Sequence, residues 1–507
     1  MVSKEPRPRG ASGSGAQLRE LLDLPSGPPE VLTGVTLDSR RVRPGDLYAA
    51  LPGFTTHGAR FAAGAVASGA AAILTDPEGA ALIGTTEVPV LVVDDPRGRL
   101  GEVADRIYGH PSGALRTTGI TGTNGKTTTA YLLDAALRGG GLQPTGLIGT
   151  VGIHIADEEL PSARTTPEAP DLHALLAVMV ERGVRAVTME VSSHALVLGR
   201  VDGVVFDLAV FTNLTQDHLD FHGTFEDYFE AKAGLFTPAR ARAALVCIDD
   251  VWGTRIAERA RAAGLPTQTY ALDAAADWRA VDLRPDAGGG TAFRILGPEG
   301  AELDTSAPLP GSFNVANALA AVAAAGHHGV EPAAAAAGIA LSGGVPGRMQ
   351  RISTGSGVTG LVDYAHTPDA VERAIEAARR ATGGRVIVVL GCGGDRDSEK
   401  RPIMGQVAAQ GADLLVVTDD NPRSESPAAI RADIMAGVRE VPRRRRAEAH
   451  EIADRHRAIR TAVDLAEEGD TVLVLGKGHE QGQEVNGVII PFDDRVELRA
   501  ALEEVHG

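Results

Sequence analysis

The segment best equipped for chemistry is Gly122-Thr123-Asn124-Gly125-Lys126-Thr127-Thr128, where apolar RTTGIT gives way to the helical pattern of TTTAYLLDAAL. Glycines at a strand-to-helix turn let backbone N–H groups approach phosphate oxygens, and the helix N-terminus adds its dipole. Lys126 can reach the β- and γ-phosphates, and Thr127 can hold Mg²⁺. The strict phosphate-loop pattern would place a glycine where Ile120 stands. An ordinary Gly-rich turn is therefore the alternative to a nucleoside triphosphate site.

Two further groups stand at the ends of buried-strand patterns. Glu190 closes the strand pattern of RAVTMEVSSH, and His218 lies between Asp217 and Asp220 in NLTQDHLD, just after FDLAVFTN. Mg²⁺ takes few protein ligands and fills its octahedron with phosphate and water, so Glu190 and His218 beside a phosphate loop are candidate ligands. A satisfied core histidine or a helix cap is the alternative. Lys232 in FEAKAGLF is a single cation among apolar and aromatic neighbours. A lysine in that setting either snorkels to solvent or, if buried, is held neutral and nucleophilic, able to take up CO₂ as a carbamate.

These groups need a scaffold. After Val345 the strand patterns TGLVDYAH, RVIVVLGCGG, ADLLVVTDD and DTVLVLGKG alternate with the helical stretches PDAVERAIEAARRA, SPAAIRADIMAGV and RHRAIRTAVDLAEEG. Such alternation means a parallel, doubly wound sheet, with ligands outside the carboxyl ends of its strands. Each strand runs into a polar loop there: DYAHTPD, GCGGDRDSEKR, DDNPR and GKGHE. The Gly391 to Gly394 run lacks the G-x-G-x-x-G spacing and predicts no nicotinamide.

The chain has 507 residues, more than one core usually holds. An α/β protein of three domains is expected, with residues 1–17 a disordered leader, 18–113 a small domain, 114–343 a central P-loop domain and 344–507 a Rossmann-like one. A formal charge of -17 argues against nucleic acid, although it leaves room for anionic substrates in local basic pockets. No run reaches the roughly 18 apolar residues of a membrane span, which excludes membrane insertion. Only Cys247 and Cys392 occur, and the start lacks an apolar signal segment, so a cytoplasmic location is expected. The Arg443 to Arg446 run precedes acidic sequence and is expected to be a solvated surface.

The colinear series TGTNGKTT, MEVSSH, NLTQDHLD, YFEAKAGLF, SFNVANALA, GVPGRMQ, DYAHTPD, GDRDSEKRP, DNPR and GKGHE resembles the Mur ligase family over nearly everything after the leader. The resemblance implies an N-terminal uridine-nucleotide domain, a central ATPase and a C-terminal domain that brings in an amino acid. Among its members it points to an ATP-dependent, ADP-forming amide ligase that joins 2,6-diaminopimelate to the D-glutamyl side-chain carboxylate of UDP-N-acetylmuramoyl-L-Ala-D-Glu. An acyl phosphate is the implied intermediate. The setting implied is cytoplasmic peptidoglycan precursor synthesis, hence cell-wall biogenesis, cell shape and division, by a monomer.

By the same resemblance, Leu37, Ser39 and the Phe54-Thr55-Thr56 stretch would contact the UDP moiety, and Thr165, Thr166, Ser192 and Arg200 the sugar-peptide. Leu198 stands where another member carries Gln. Two Mg²⁺ ions would lie on Thr127, Glu190, His218 and Lys232, the last as N6-carboxylysine. Asn314, Asn317, Arg348, Asp363 and His366 would approach ATP beside the loop Gly122 to Thr128. Diaminopimelate carries a second carboxylate that lysine lacks, so its site needs a fork-shaped cation and an ammonium acceptor. Arg423 in Asp420-Asn421-Pro422-Arg423 and Arg396 offer the first, and Glu480, near Gly476, the second. Open alternatives are an L-lysine-adding ligase, another Mur or folylpolyglutamate-type synthetase, a phosphotransferase without the acyl step, and a nucleotide-binding protein without catalysis.

Overall fold

The computed structural model describes residues 6–10, 13–24, 31–53, 55–286, 288–355 and 357–506. Three main sheets follow one another along the chain. The first is wholly parallel, with Gly34–Thr36, Asp46–Ala49, Ala72–Thr75 and Val90–Val92 side by side in that order. Most of these strand residues are buried, as expected where helices cover both faces. Two of the helices start where the sequence signals it: Asp76 and Asp95 cap them, each followed by a proline in the first turn.

The central sheet has eleven strands. Its middle is Arg116–Thr121, flanked in parallel by Ala186–Glu190 and Leu208–Phe211. Their carboxyl ends therefore sit together, with Glu190 paired to Ile120. Antiparallel strands close both edges, Ile153–Ile155 and Glu158–Leu160 at one and Thr291–Leu296 and Glu302–Ala307 at the other. The helix Lys126–Gly139 crosses the Ala-rich Pro332–Ala340 so closely that a Cβ on Gly139 would stand 2.7 Å from Gly338 Cα. Small residues there permit backbone contact that larger ones would forbid.

In the third sheet Thr359–Asp363, Thr471–Leu475, Val386–Leu390, Leu414–Val417 and Glu448–Glu451 run parallel, with Gln350–Ile352 antiparallel at one edge. Val386, Val388 and Leu390 pack on one face with Ile375, Met404 and Ile434. Ile387 and Val389 pack on the other with Ile459 and Leu498. A continuous apolar run with period two is thus apolar on both sides, the doubly wound arrangement its sequence implies.

One expectation needs correcting. Part of the stretch 1–17 is tied into the fold. Gly13–Ser14 pairs with Val31–Leu32, and the helix Gly15–Leu21 begins before residue 18. Arg7 forms an ion pair with Asp46, and the N–H groups of Arg9 and Gly10 donate to Glu181. These anchors are charge complementarity to distant carboxylates, which apolar periodicity does not register. Arg443, Arg444 and Arg445 are exposed, as expected.

Candidate active site

The loop after Arg116–Thr121 is shaped by its glycines. Gly122 (φ +151°) and Gly125 (φ +86°) adopt conformations that side chains rarely take, and a Cβ would stand 1.9 Å from Thr212 Oγ1 or 2.5 Å from Asn317 Oδ1. Thr212 Oγ1 and Asn213 Nδ2 donate to Asn124 O at 2.6 and 3.1 Å, while Thr123 Oγ1 donates to Thr215 O at 3.1 Å. Lys126 Nζ donates to Gly122 O and Thr123 O at 2.9 and 2.8 Å, so its ammonium folds over the loop it follows. Burial lowers the Lys126 pKa, against the pull of Glu190 and Asp217.

Thr127 Oγ1 donates to Glu190 Oε2 at 2.9 Å. Thr150 holds the same carboxylate through its N–H at 2.7 Å and its hydroxyl at 3.1 Å. Among the described residues no group of three or more His, Cys, Asp or Glu forms a metal cluster. The Thr127 hydroxyl and Glu190 carboxylate are nevertheless hard oxygen donors in contact at the phosphate loop. Mg²⁺ keeps waters and phosphate oxygens for the rest of its shell, so this donor set fits it. His218 takes a left-handed conformation (φ +55°) and lies 3.3 Å from Asp217. Its ring meets that of His194 edge-on at 4.8 Å. Burial brings the His218 pKa down to about 4, despite Asp217.

Lys232 does not snorkel. It is 1% exposed on the helix Phe225–Ala233, its Nζ donates to Gly122 O at 2.7 Å, and it lies 4.5 Å from the Tyr228 ring centre. Burial, reinforced by Lys126, lowers its pKa well below the ordinary value. Sequence leaves snorkelling and burial open, and the contact of this amine with the loop at Gly122 goes with burial.

Beside the loop is a cavity of 330 Å³. Asn124, Gly125, Thr128 and Asn317 line one side, Arg348, Asp363 and His366 another. Arg348 Nη2 reaches Thr127 Oγ1 at 3.1 Å, and Asn124 Nδ2 reaches Asp369 Oδ2 at 3.2 Å, joining the central and third sheets across the site. Asp363 accepts from the N–H groups of Met349 and Ala365, while burial raises its pKa. Burial lowers that of His366, followed by Lys400. Asn314 is buried behind the lining, where it accepts from Asn317 Nδ2 at 3.3 Å.

A second cavity, of 850 Å³, takes in Leu37, Ser39, Arg40, Arg41 and Thr56 of the first sheet and Arg164 of the central part. Phe54 lies outside the described residues, and Thr55 is exposed. Arg40, Arg41, Arg97 and Arg164 line it, each paired with a carboxylate of the same wall, Arg40 with Asp38 at 2.7 Å, Arg41 with Asp171 at 3.2 Å, and Arg97 and Arg164 with Glu168 at 3.6 and 2.8 Å. A diphosphate here would have to take the place of those carboxylates. Arg200 pairs with Glu168 at 2.9 Å and donates to Thr166 O at 3.4 Å. Thr166 is fully buried and, like Ser192, braces the end of Ala186–Glu190 through Glu190 O and Ser192 N. Thr166, Ser192 and Arg200 thus shape the wall, whereas Thr165 faces a third cavity.

That third cavity, of 490 Å³, joins Thr165 and His218 to the third sheet's loops. Arg396, Lys400, Arg423, Gly476 and Glu480 all line it. Arg396 is exposed. Arg423, in a left-handed conformation, donates through Nη1 to Gly394 O at 2.6 Å and lies 3.4 Å from Glu484. It does not cap the following helix Pro427–Glu440, whose N-cap is Ser426. Gly476 (φ +113°) leaves room for Asp420 Oδ2, 2.6 Å from where a Cβ would be. Pro422 lies behind the lining, its backbone against Gly394. Two cations escaped the sequence reading, Lys400 in GDRDSEKRP and Lys477 in GKGHE, because adjacent arginine and glutamate residues already gave those motifs a purpose. Lys400 faces the cavity; Lys477 is buried beneath it.

Three family profiles match in succession: "Mur ligase family, catalytic domain" over residues 31–108, "Mur ligase middle domain" over 120–325, and "Mur ligase, glutamate ligase domain" over 347–478. A Streptomyces avermitilis protein named UDP-N-acetylmuramoyl-L-alanyl-D-glutamate--2,6-diaminopimelate ligase is 54% identical over 99% of both chains. One of the same name from Corynebacterium glutamicum is 49% identical over 94% of this chain and 92% of its own. A solved structure of a ligase so named is 35% identical, covers 96% of this chain and 99% of its own, and superposes with a TM-score of 0.69. Three successive profile matches and such relatives over nearly the full length show that this chain belongs to the Mur ligase family.

Proposed function

We propose that the protein is an ATP-dependent ligase that adds 2,6-diaminopimelate to the D-glutamyl side-chain carboxylate of UDP-N-acetylmuramoyl-L-Ala-D-Glu, a cytoplasmic step of peptidoglycan precursor synthesis carried out by a monomer. Residues 18–113 would hold the UDP-substrate, 114–343 ATP, and 344–507 the amino acid, in keeping with three separate sheets. Among the described residues no helix is long and apolar enough to cross a membrane. The observation that carries the reading is the third cavity. It brings Thr165 and His218 to face Arg423 and Glu480, so that an acyl phosphate and an amine could meet there.

A carboxylate is a poor electrophile. Its oxygen first attacks the γ-phosphorus of ATP, breaking the bond to ADP and giving an acyl phosphate. The amine nitrogen then attacks the acyl carbon, phosphate leaves, and the ammonium proton is lost to give the amide. Both steps bring anions together, so positioning and charge neutralisation carry catalysis. Lys126 would exchange its two carbonyl acceptors for phosphate oxygens, while the loop amides cradle them. Mg²⁺ on Thr127 and Glu190, with a second ion at His218 and a carbamylated Lys232, would supply further positive charge between the phosphates and the attacking carboxylate. The Arg423 guanidinium would take the far carboxylate of diaminopimelate, and Glu480 its ammonium.

The test is an assay of purified protein with ATP and Mg²⁺, with and without the UDP-muramoyl dipeptide and either diaminopimelate or L-lysine. ADP release that requires both co-substrates, with matching amide product, is expected. ADP release without an acceptor indicates a phosphotransferase or an ATPase, and comparable kcat/KM for the two amino acids overturns the diaminopimelate assignment.

A further inference from the structure

Lys477 has no place in the chemistry above. It is 0% exposed, although a lysine is almost never fully buried without partners. Its Nζ donates to Asn421 Oδ1 at 2.9 Å and lies 3.3 Å from Asp420 Oδ1 and 3.4 Å from Glu480 Oε2. All three partners line the third cavity, directly above this ammonium. We propose that Lys477 is a positioning residue for the amino-acid site, fixing the Asn421 amide and the Glu480 carboxylate and setting the site's charge so that a dicarboxylic diamine is preferred to a monocarboxylic one. The inference rests on the reading that these loops receive the incoming amino acid.

The orientation argument follows from donor and acceptor types. Asn421 Oδ1 accepts from Lys477 Nζ and from the Glu484 N–H at 3.0 Å. Both are donors with no acceptor to offer, so the amide has one orientation that satisfies them. Asn421 Nδ2 then points to Glu480 Oε2, 2.7 Å away. Tyr364 OH holds the other Glu480 oxygen at 3.4 Å. One Glu480 oxygen is thus fastened from two sides, while the other keeps the longer Tyr364 contact and can take an ammonium.

The charge argument is separate. Around the cavity, Arg396, Lys400 and Arg423 in its lining and Lys477 beneath it oppose the carboxylates of Asp217, Asp220, Asp397, Asp420 and Glu480, an excess of one negative charge. At neutral pH diaminopimelate carries two ammonium and two carboxylate groups, whereas lysine has two ammonium groups and one carboxylate. Without Lys477 the site is more negative. It would then repel the second carboxylate of diaminopimelate and attract the surplus positive charge of lysine, since like charge at a binding site penalises the wrong partner.

The experiment compares the unmutated enzyme with Lys477→Met, which keeps the stem and drops the charge. KM is measured for diaminopimelate, lysine and ATP, with ATP binding measured directly as the check on folding. The unmutated protein must first make the amide from diaminopimelate; if it does not, the functional reading fails, whatever Lys477 does. Given that activity, loss of the charge-assisted hydrogen bonds should raise the diaminopimelate KM roughly 10–100-fold. The ATP KM should stay within about threefold, and the kcat/KM preference for diaminopimelate over lysine should fall about tenfold or more. A diaminopimelate KM and a preference both unchanged overturn the inference. If Lys477→Met does not fold, Lys477→Gln decides on the same measurements, and if that variant also fails to bind ATP then Lys477 is a structural residue and the inference is overturned.

Discussion

Replacing Lys232 separates its chemical role from its packing role. The amine is 1% exposed and has one hydrogen-bond acceptor, Gly122 O. Lys232→Met keeps most of the side-chain volume, which costs less than about 1.5 kcal/mol in a core. It removes one of the two amines that donate to the Gly122 carbonyl, which Lys126 Nζ still satisfies at 2.9 Å, a loss of roughly 0.5–1.5 kcal/mol. Together these shift stability by a few kcal/mol at most and leave a folded enzyme. If the buried amine bears a carbamate that anchors charge at the phosphates, its loss should lower kcat about 10²–10³-fold, the scale for removing one electrostatic group from an active site. Lys232→Ala goes further, opening a hole at a cost of roughly 2–5 kcal/mol, and a short-chain carboxylic acid can enter that hole and restore part of the rate. The assay is ADP and amide formation with acetate or propionate titrated in, beside a thermal melt of each variant. A Lys232→Met enzyme of near-normal kcat, or a Lys232→Ala enzyme that melts normally and ignores every added acid, would refute the carbamate.

Three other outcomes are expected. Lys126→Ala should abolish ATP turnover while UDP-substrate affinity, measured by calorimetry, stays within a few-fold, because the arginine-lined cavity is built from other residues; equal loss of both ligands in a folded variant contradicts the division of labour. Arg423→Ala should raise the diaminopimelate KM by roughly 10–100-fold, the worth of a charged hydrogen-bond pair, with little change in the ATP KM, and an unaltered diaminopimelate KM excludes Arg423 from the amino-acid site. Gly125→Ala forces a side chain into the left-handed region, at roughly 1–2 kcal/mol, and drives a Cβ to 2.5 Å from Asn317 Oδ1, so ATP affinity should fall about tenfold or more; a normal ATP KM would show that the loop can relax around the methyl.

Much of this arrangement is legible in the sequence. The apolar runs VIVVL and TVLVL, each bounded by Gly-rich sequence, are buried strands because both faces of a parallel sheet are covered, and Val386–Leu390 and Thr471–Leu475 lie next to each other. Their shared direction is what collects four polar loops at one edge. The glycines before Lys126 mark a tight strand-to-helix turn, although Ile120 breaks the strict phosphate-loop pattern and leaves an ordinary Gly-rich turn as the alternative. The antiparallel strands from Trp278 to Ala307 were not foreseen. Phe293 and Ile295 are buried on either side of Arg294 in Thr291–Leu296, a two-residue alternation too short to mark the strand in the sequence.

What the sequence hides is the partner of each charge. Lys232 and Lys477 are single cations in short motifs, and nothing local separates a snorkelling lysine from a buried one. Burial is decided by distant residues: Gly122, 110 positions away, for the first, and Asp420 and Asn421, 57 and 56 positions away, for the second. Arg7 is hidden in the same way, since its polar surroundings suggest disorder until Asp46 lies opposite. A buried cation is costly unless partners converge on it, so each such lysine marks a place where strands far apart in sequence must meet accurately. Lys232 ties its helix to the phosphate loop, and Lys477 ties the loop after Thr471–Leu475 to the one after Leu414–Val417. In the proposed reaction both buried amines would stand where an activated acyl group and an incoming amine are held together, and the requirement that each find its acceptors aligns the loops around them.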